Sequence, residues 1–250
     1  MRSTLDAWIA AARGRYAPPL TFSEVRRGVQ ALSSLYVERR GQGRLAARAA
    51  DGAAKRCALA SYYAPLHFLS VCAALDAIEA ASPPDRILDL GCGTGAAGAA
   101  AARSLAPRAA VLGLDASAWA LGEARHTYRA FGIAGRTRRG RVPQALPKPR
   151  RGDWWVAGWI VNELSRADRE ELLATIHGAL DLGVSLLVLE PLSLRTSPWW
   201  PQWRAALEPH GARERLVRTP IARPDWIEAL DRATRLDHRT LGARVLVRTG

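Results

Sequence analysis

Between residues 86 and 115 the apolar and polar positions fall into a clear rhythm: RILDL, a glycine-rich break, an alanine-rich stretch, then AVLGLD. Short apolar runs bounded by turn residues read as buried strands, and longer stretches with a 3.6-residue period read as helices. The pattern predicts strands over 86–90 and 110–115 with a helix to about residue 105 between them, and a second helix over 118–132. A short third strand follows at 137–142, a fourth at 154–161, a helix over 169–180 and a fifth strand at 185–191. Helices at about 201–208 and 224–235 precede a last strand at 243–248. Strands alternating with helices imply parallel pairing in a doubly wound, Rossmann-like α/β sheet.

Upstream the period is helical throughout. Leu5, Trp8, Ile9 and Ala12 share one face of a first helix, and residues 23–40 open on a serine cap and carry Val25, Val29, Leu32, Leu35 and Tyr36 on one stripe. Residues 61–80 are apolar nearly all round, so that helix must be buried, with Pro65 tolerable only in its first turn. Residues 41–56 form a weakly helical connector, and Ser82-Pro83-Pro84 ends the helical part. The expected organisation is an N-terminal helical cap over 1–82 and a sheet-bearing core over 83–250.

Composition narrows the class. The chain has 250 residues, 48% hydrophobic and 24% charged, as in ordinary globular proteins. No uninterrupted apolar run approaches the roughly 20 residues of a membrane span, so no membrane partner is expected. The arginines near the start faintly suggest a transit peptide, but Asp6 and the spacing fit an ordinary helix better. Cys57, Cys72 and Cys92 are too far apart for a zinc site or a disulfide framework, which points to a reducing, cytoplasmic setting and no metal.

A net charge of +13 suggests a polyanionic partner such as RNA. A duller source competes, because Lys55 and Lys148 are the only lysines, and a bias to arginine and alanine is what GC-rich codons produce. The local clusters say more. Arg136, Arg138, Arg139 and Arg141, with Arg150 and Arg151 close behind, are dense enough for a basic patch; a solvated loop face is the plain alternative.

The glycine break is RILDLGCGTG. Glycine inside a helix costs about 0.5–1 kcal/mol against alanine, so Gly91, Gly93 and Gly95 mark a tight turn or a ligand pressed on bare backbone. A strand, such a loop and a helix N-terminus form a nucleotide cradle. Asp89 beside the loop would repel a pyrophosphate and suit a ligand carrying an ammonium group. Asp115, twenty residues past Gly95, ends the next strand, where an acid can accept both hydroxyls of a ribose.

With LDLGCGTG and the later LD, the chain resembles the class I S-adenosylmethionine-dependent methyltransferases. The resemblance implies a seven-stranded methyltransferase sheet whose last strand, ARVLVR, runs antiparallel, and S-adenosyl-L-methionine as cofactor. It implies that Gly91, Cys92, Gly93 and Gly95 wrap the methionine end with Asp89, that Asp115 and Ala116 meet the ribose, and that Arg141 and Val142 border the adenine. A dinucleotide site fits poorly, since the spacing is G-x-G-x-G and Asp89 is present; a loop that binds nothing is the remaining alternative. Many members carry an acid or amide after the third strand to meet the adenine amino group. Gly140, Arg141 and Val142 stand there instead, leaving a backbone carbonyl or packing to hold the base, and Trp119 is free to stack on it or to serve packing alone.

The acceptor end is less explicit. The strand exit places Gly158, Trp159, Asn162 and Glu163 near the transferred methyl, with Asn162 and Glu163 as candidate catalytic groups or, more plainly, caps of the helix starting near Ser165. Trp199, Trp200 and Trp203 either stack on an acceptor or anchor a helix. The histidines are scattered and no general base stands out. The helical front together with RILDLGCGTG, VAGWIVNEL and LVLEP resembles the ribosomal small-subunit methyltransferase-like family, which implies association with small-subunit rRNA. Many members hold an iron–sulfur centre on a cysteine cluster that this chain lacks. The leading expectation is methylation of RNA or a ribosome-linked target; the alternatives are a small-molecule methyltransferase with an aromatic-lined pocket and a non-catalytic assembly factor.

Overall fold

The structure, a computed structural model, describes residues 2–16, 18–38, 50–78 and 83–250. Seven strands form one sheet in the order β3-β2-β1-β4-β5-β7-β6. They are β1 Arg86–Leu90, β2 Ala110–Asp115, β3 Gly135–Arg139, β4 Trp154–Gly158, β5 Ser185–Glu190, β6 Arg213–Pro220 and β7 Thr240–Arg248. The pairs among β1 to β5 are parallel, and β7 runs antiparallel to both β5 and β6. The order reverses between β1 and β4, which opens a crevice at their carboxyl ends.

The central strands are covered on both faces, which explains their unbroken apolar runs: Leu88 and Leu90 of β1, Trp155 to Ala157 of β4 and Leu186 to Leu189 of β5 are fully buried. In chain order the described helices are α1 Arg2–Gly14, α2 Phe22–Glu38, α3 Ala53–Ala58, α4 Ala64–Asp76, α5 Ala96–Leu105, α6 Ala118–Ala130, α7 Arg166–Asp181, α8 Trp200–Leu207 and α9 Asp225–Thr234. Short 3₁₀ turns lie at Val161–Glu163 and Glu208–His210. Alanines 99 to 102 of α5 are fully buried, and their small side chains let α5 lie close to the sheet and to α4. One buried cluster runs from Leu5, Trp8 and Val29 through Phe68 to Ile87 of β1, so the N-terminal helices close one face of the sheet.

Several expectations are corrected. The third strand lies at 135–139 rather than 137–142, because Gly140 to Val142 turn into the loop after it. The fourth ends at Gly158, where Trp159 takes a left-handed backbone with φ 60°. The strand β6 is absent from the sequence reading; its burial is broken by exposed Arg213, Arg215, Leu216 and Arg218, as suits an edge strand. Helix 61–80 is instead the end of a continuous rod over Ala53–Asp76, with a π turn at Leu59–Tyr63. Proline lacks the N–H for the preceding turn and its ring crowds it; here the wider π turn comes just before Pro65 and gives it room. The rod is long and apolar enough to cross a membrane, yet 72% of its most apolar stretch is buried within the protein. The rest of the 41–56 connector and of the 61–80 prediction falls partly outside the described residues.

Candidate cofactor and acceptor site

The crevice holds a cavity of about 990 Å³, within the range of small-molecule sites. Its floor is the loop after β1. Gly91, Gly93 and Gly95 all have positive φ, at 61°, 51° and 77°. A Cβ on Gly91 would fall 2.4 Å from Ile160 Cδ1, and one on Gly95 would fall 2.9 Å from the Ala124 Cα. Both glycines are therefore demanded by the protein's own packing. Gly93 differs: nothing lies within 4 Å of its Cβ position, so its bare backbone faces open cavity.

Two carboxylates hold the loop in shape. Asp115 Oδ2 accepts from the Gly93 N–H at 2.9 Å and Oδ1 from the Ser117 N–H at 2.7 Å. Asp89 Oδ2 accepts from the Gly98 N–H at 2.8 Å in the first turn of α5, and the Tyr128 hydroxyl lies 3.5 Å away. Burial pushes Asp89 up to about 7 and the charge of Asp115 adds to this, against the Gly98 N–H and Tyr128, which lower it. Asp115 is raised by burial, opposed by the N–H groups of Ser117 and Gly93. Burial, and then Asp115, push Glu163 up to about 7. Three crowded acids with raised affinity for protons are short of positive charge, and a cation entering the cavity would relieve them.

The other predicted cofactor residues, Cys92, Ala116, Arg141, Val142 and Gly158, all line the same cavity. Burial raises the Cys92 thiol well above its ordinary value, which keeps it a neutral packing group. Gly158 allows close approach of β4 to α5, since a Cβ there would lie 3.2 Å from the Ala97 Cβ. Trp119 borders the cavity, with the Arg56 guanidinium carbon 5.7 Å from its ring centroid.

Asn162 does not cap the following helix. Ser165 does, accepting from the Asp168 N–H at 3.1 Å. The Asn162 side chain donates to Glu190 Oε2 at 2.6 Å and Ser197 Oγ at 3.1 Å, and accepts from Trp199 Nε1 at 2.7 Å. Its amide joins the end of β5 to the segment before α8. Trp199, Trp200 and Trp203 are buried and belong to the core that seats α8; none lines the cavity. The anchoring alternative is what the structure contains.

Several groups reach the cavity without a sequence signal. The His67 ring of α4 stacks on Trp159, centroids 4.0 Å apart and planes 13° from parallel, and burial pushes its pKa down to about 4, so it is neutral. His238 and Tyr63 also line the wall. His67 is separated from Trp159 by ninety-two positions in the chain (159 − 67), and no spacing rule joins them.

Residues 87–183 match the family model of a methyltransferase domain. The fold is shared with a proposed O-methyltransferase of Nostoc punctiforme, at 16% identity over 90% of this chain and 69% of that one, with a TM-score of 0.54. It is also shared with the precorrin-6y C5,15-methyltransferase of Geobacter metallireducens, at 14% identity over 74% of this chain and 86% of that one, with a TM-score of 0.50. A further similar structure is a methyltransferase of Thiobacillus denitrificans bound to S-adenosyl-L-homocysteine, at 17% identity over 74% and 92% of the chains, TM-score 0.45. No curated protein matches this chain. Sheet order and glycine loop are those of the class I S-adenosylmethionine-dependent methyltransferase fold, and residues 87–183 are its methyltransferase domain. Its cofactor is S-adenosyl-L-methionine, an activated methyl donor whose sulfonium carries a positive charge.

Proposed function

We propose that this methyltransferase acts on RNA, with small-subunit rRNA or a ribosome-linked target as acceptor. One observation carries the reading. Arg136, Arg138, Arg139, Arg150 and Arg151 are exposed on edge strand β3 and the loop after it, and Arg141 continues the series to the cavity wall. Among the described residues none of the six forms an ion pair, whereas nine other arginines do. Arg138 and Arg139 donate to the backbone carbonyls of Ala145 and Ala116 and Arg141 acts on Asp168, but no carboxylate closes an ion pair on them, which suits the group to phosphates.

In this reading the Gly91–Gly95 backbone and Asp89 receive the methionine end and Asp115 takes the ribose hydroxyls. Gly140 to Val142 and Trp119 border the adenine. The chain's own task is then to orient an acceptor in line with the methyl, since proximity supplies most of what such a transfer requires.

The test is rRNA binding across a salt series. Log affinity falls linearly with log salt, and the combined Arg138→Ala, Arg141→Ala and Arg150→Ala variant has a slope shallower by about 3, one for each phosphate contact removed. An equal slope, or no affinity at low salt, contradicts the reading. A second reading, a small planar acceptor, draws on the His67–Trp159 pair in the cavity wall; methyl uptake by a small-molecule fraction rather than RNA would favour it.

A further inference from the structure

We propose that His238 is the general base of the methyl transfer, that Asp231 is its positioning residue, and that the group methylated is a hydroxyl. This rests on the methyl-transfer reading and not on RNA as the acceptor molecule.

The geometry is that of an oriented imidazole. His238 lines the cavity just ahead of β7, which begins at Thr240, four residues before Arg244 pairs with Glu190 at the end of β5. The base therefore stands past the carboxyl end of β5, on the side where the crevice opens. Its Nδ1 lies 2.8 Å from Asp231 Oδ1 and 3.1 Å from the Tyr62 hydroxyl oxygen.

The network fixes which nitrogen carries the proton. The Tyr62 hydroxyl donates to Asp231 Oδ1 at 2.6 Å, so its hydrogen is spent and its oxygen can only accept from Nδ1. Both neighbours of Nδ1 are thus acceptors, and Nδ1 must be the protonated nitrogen. Nε2 is left as the nitrogen that can take a proton.

Asp231 is 1% exposed and is held as an anion by more than His238. Arg223 Nη1 donates to Oδ2 at 2.8 Å and the His238 N–H to the same oxygen at 3.2 Å. Burial alone would raise its pKa; the bonds from His238, Tyr62 and Arg223 outweigh that and lower it. A buried carboxylate behind one imidazole nitrogen sets the tautomer and stabilises the imidazolium that forms when the other takes a proton.

The groups around His238 leave it the task. From the helical rod, the Tyr62 ring meets it edge-on, and Tyr63 and His67 share the cavity lining with it: burial first, and Asp231 after it, raise both tyrosines, and burial keeps His67 neutral. From α9 and its flanks come Asp231 and Arg223, while the neighbouring Asp237 and Arg239 are occupied with each other. Among these, His238 alone combines an orienting carboxylate with a place on the cavity wall.

A base in this position argues for oxygen as the acceptor atom. A neutral amine attacks with its own lone pair and sheds its proton afterwards. A hydroxyl is a poor nucleophile until its proton leaves. As the acceptor oxygen bonds to the methyl carbon, the carbon–sulfur bond breaks with its electron pair retained on sulfur. The hydroxyl proton passes to His238 Nε2, and the neutral thioether departs.

The test uses the full chain, methyl-tritiated S-adenosylmethionine, and two acceptor pools from a cell extract, total RNA and the small-molecule fraction. Wild-type protein is expected to label one pool, with the label released by hydriodic acid as methyl iodide, the mark of a methyl ether. His238→Ala and His238→Gln are expected to slow labelling by about 10²-fold or more. Both should keep cofactor affinity within twofold by calorimetry, and added imidazole should restore part of the rate to His238→Ala. The glutamine variant retains an N–H for Asp231, so a folding defect in the alanine variant alone does not decide the matter. Asp231→Asn should lower the rate and move the acidic limb of its pH profile, which a purely structural role would not do. Labelling unchanged in both His238 variants, or label in a linkage stable as N- or C-methyl, overturns the proposal, as does a wild-type protein that binds cofactor yet labels neither pool. Failure to bind the cofactor would instead fall on the methyl-transfer reading. The labelled pool tells a ribose hydroxyl from a small-molecule one.

Discussion

The Gly93 N–H and the Asp115 carboxylate meet at 2.9 Å, tying the loop after β1 to the end of β2. This bond links the two sequence signals, the glycine triplet and the acid twenty residues on, into one wall of the cavity. It leaves Asp115 with acceptor capacity on both oxygens, as a ribose diol requires.

Replacing Asp115 with alanine removes that acceptor and frees the loop. Cofactor affinity is expected to drop by at least tenfold in calorimetry, from the loss of charged hydrogen bonds worth about 1.5–3 kcal/mol. Equal affinity in the variant would remove Asp115 from the ribose.

The glycines separate packing from binding. Gly93→Ala places a methyl in open cavity, so the cost to the fold is the left-handed backbone, about 1–2 kcal/mol, while the cofactor is obstructed. Gly91→Ala drives a methyl into Ile160 and is expected to destabilise more strongly. Thermal melts with and without cofactor check both. The account predicts a Gly93→Ala protein that is folded and no longer stabilised by cofactor.

Cofactor binding should depend on pH in a defined direction. Asp89 and Glu163 both titrate at about 7, so below that value they are largely neutral and attract a cation weakly. Affinity is expected to rise between pH 6 and 8, and less so for the neutral thioether product. The free protein follows the opposite course. Asp89 ionises near 3.8 when unfolded and near 7 when folded, so the fold loses stability as pH climbs through that window. Calorimetry on wild type and Glu163→Gln checks this, with the variant showing the flatter profile.

The tryptophans of α8 should act on stability and not on binding. Trp203, 2% exposed in the core, is expected to cost about 3–5 kcal/mol when truncated to alanine, with unchanged cofactor affinity in the protein that remains folded. A large loss of affinity at full stability would return these rings to the site.

Much of this was legible in the sequence because the signals are local. Strands β1 and β2 fall on the predicted residues, since a doubly buried parallel strand announces itself as an apolar run. The positions of the loop and of Asp115 on one cavity read out because glycines and an acid at consecutive strand ends are local signals. Edge strand β6 did not, since alternating arginines on an exposed edge look like loop. Nor did the acceptor wall: Tyr62 and His238 are 176 positions apart and meet only when α9 folds against the helical rod. Asn162 lines the cavity as its position predicts, but its bonds to Glu190, Ser197 and Trp199 join distant segments that no spacing reveals.

The central claim is that the cavity beyond β1 and β2 receives the methyl-donor nucleoside. A crystal structure of the protein with S-adenosylhomocysteine tests it most directly. The account predicts ribose hydroxyls on Asp115, the amino-acid end over Gly91 to Gly95, and the sulfur facing Glu163 and the His67–Trp159 pair. A nucleoside lodged elsewhere, or a cavity that stays empty at saturating ligand, would contradict it.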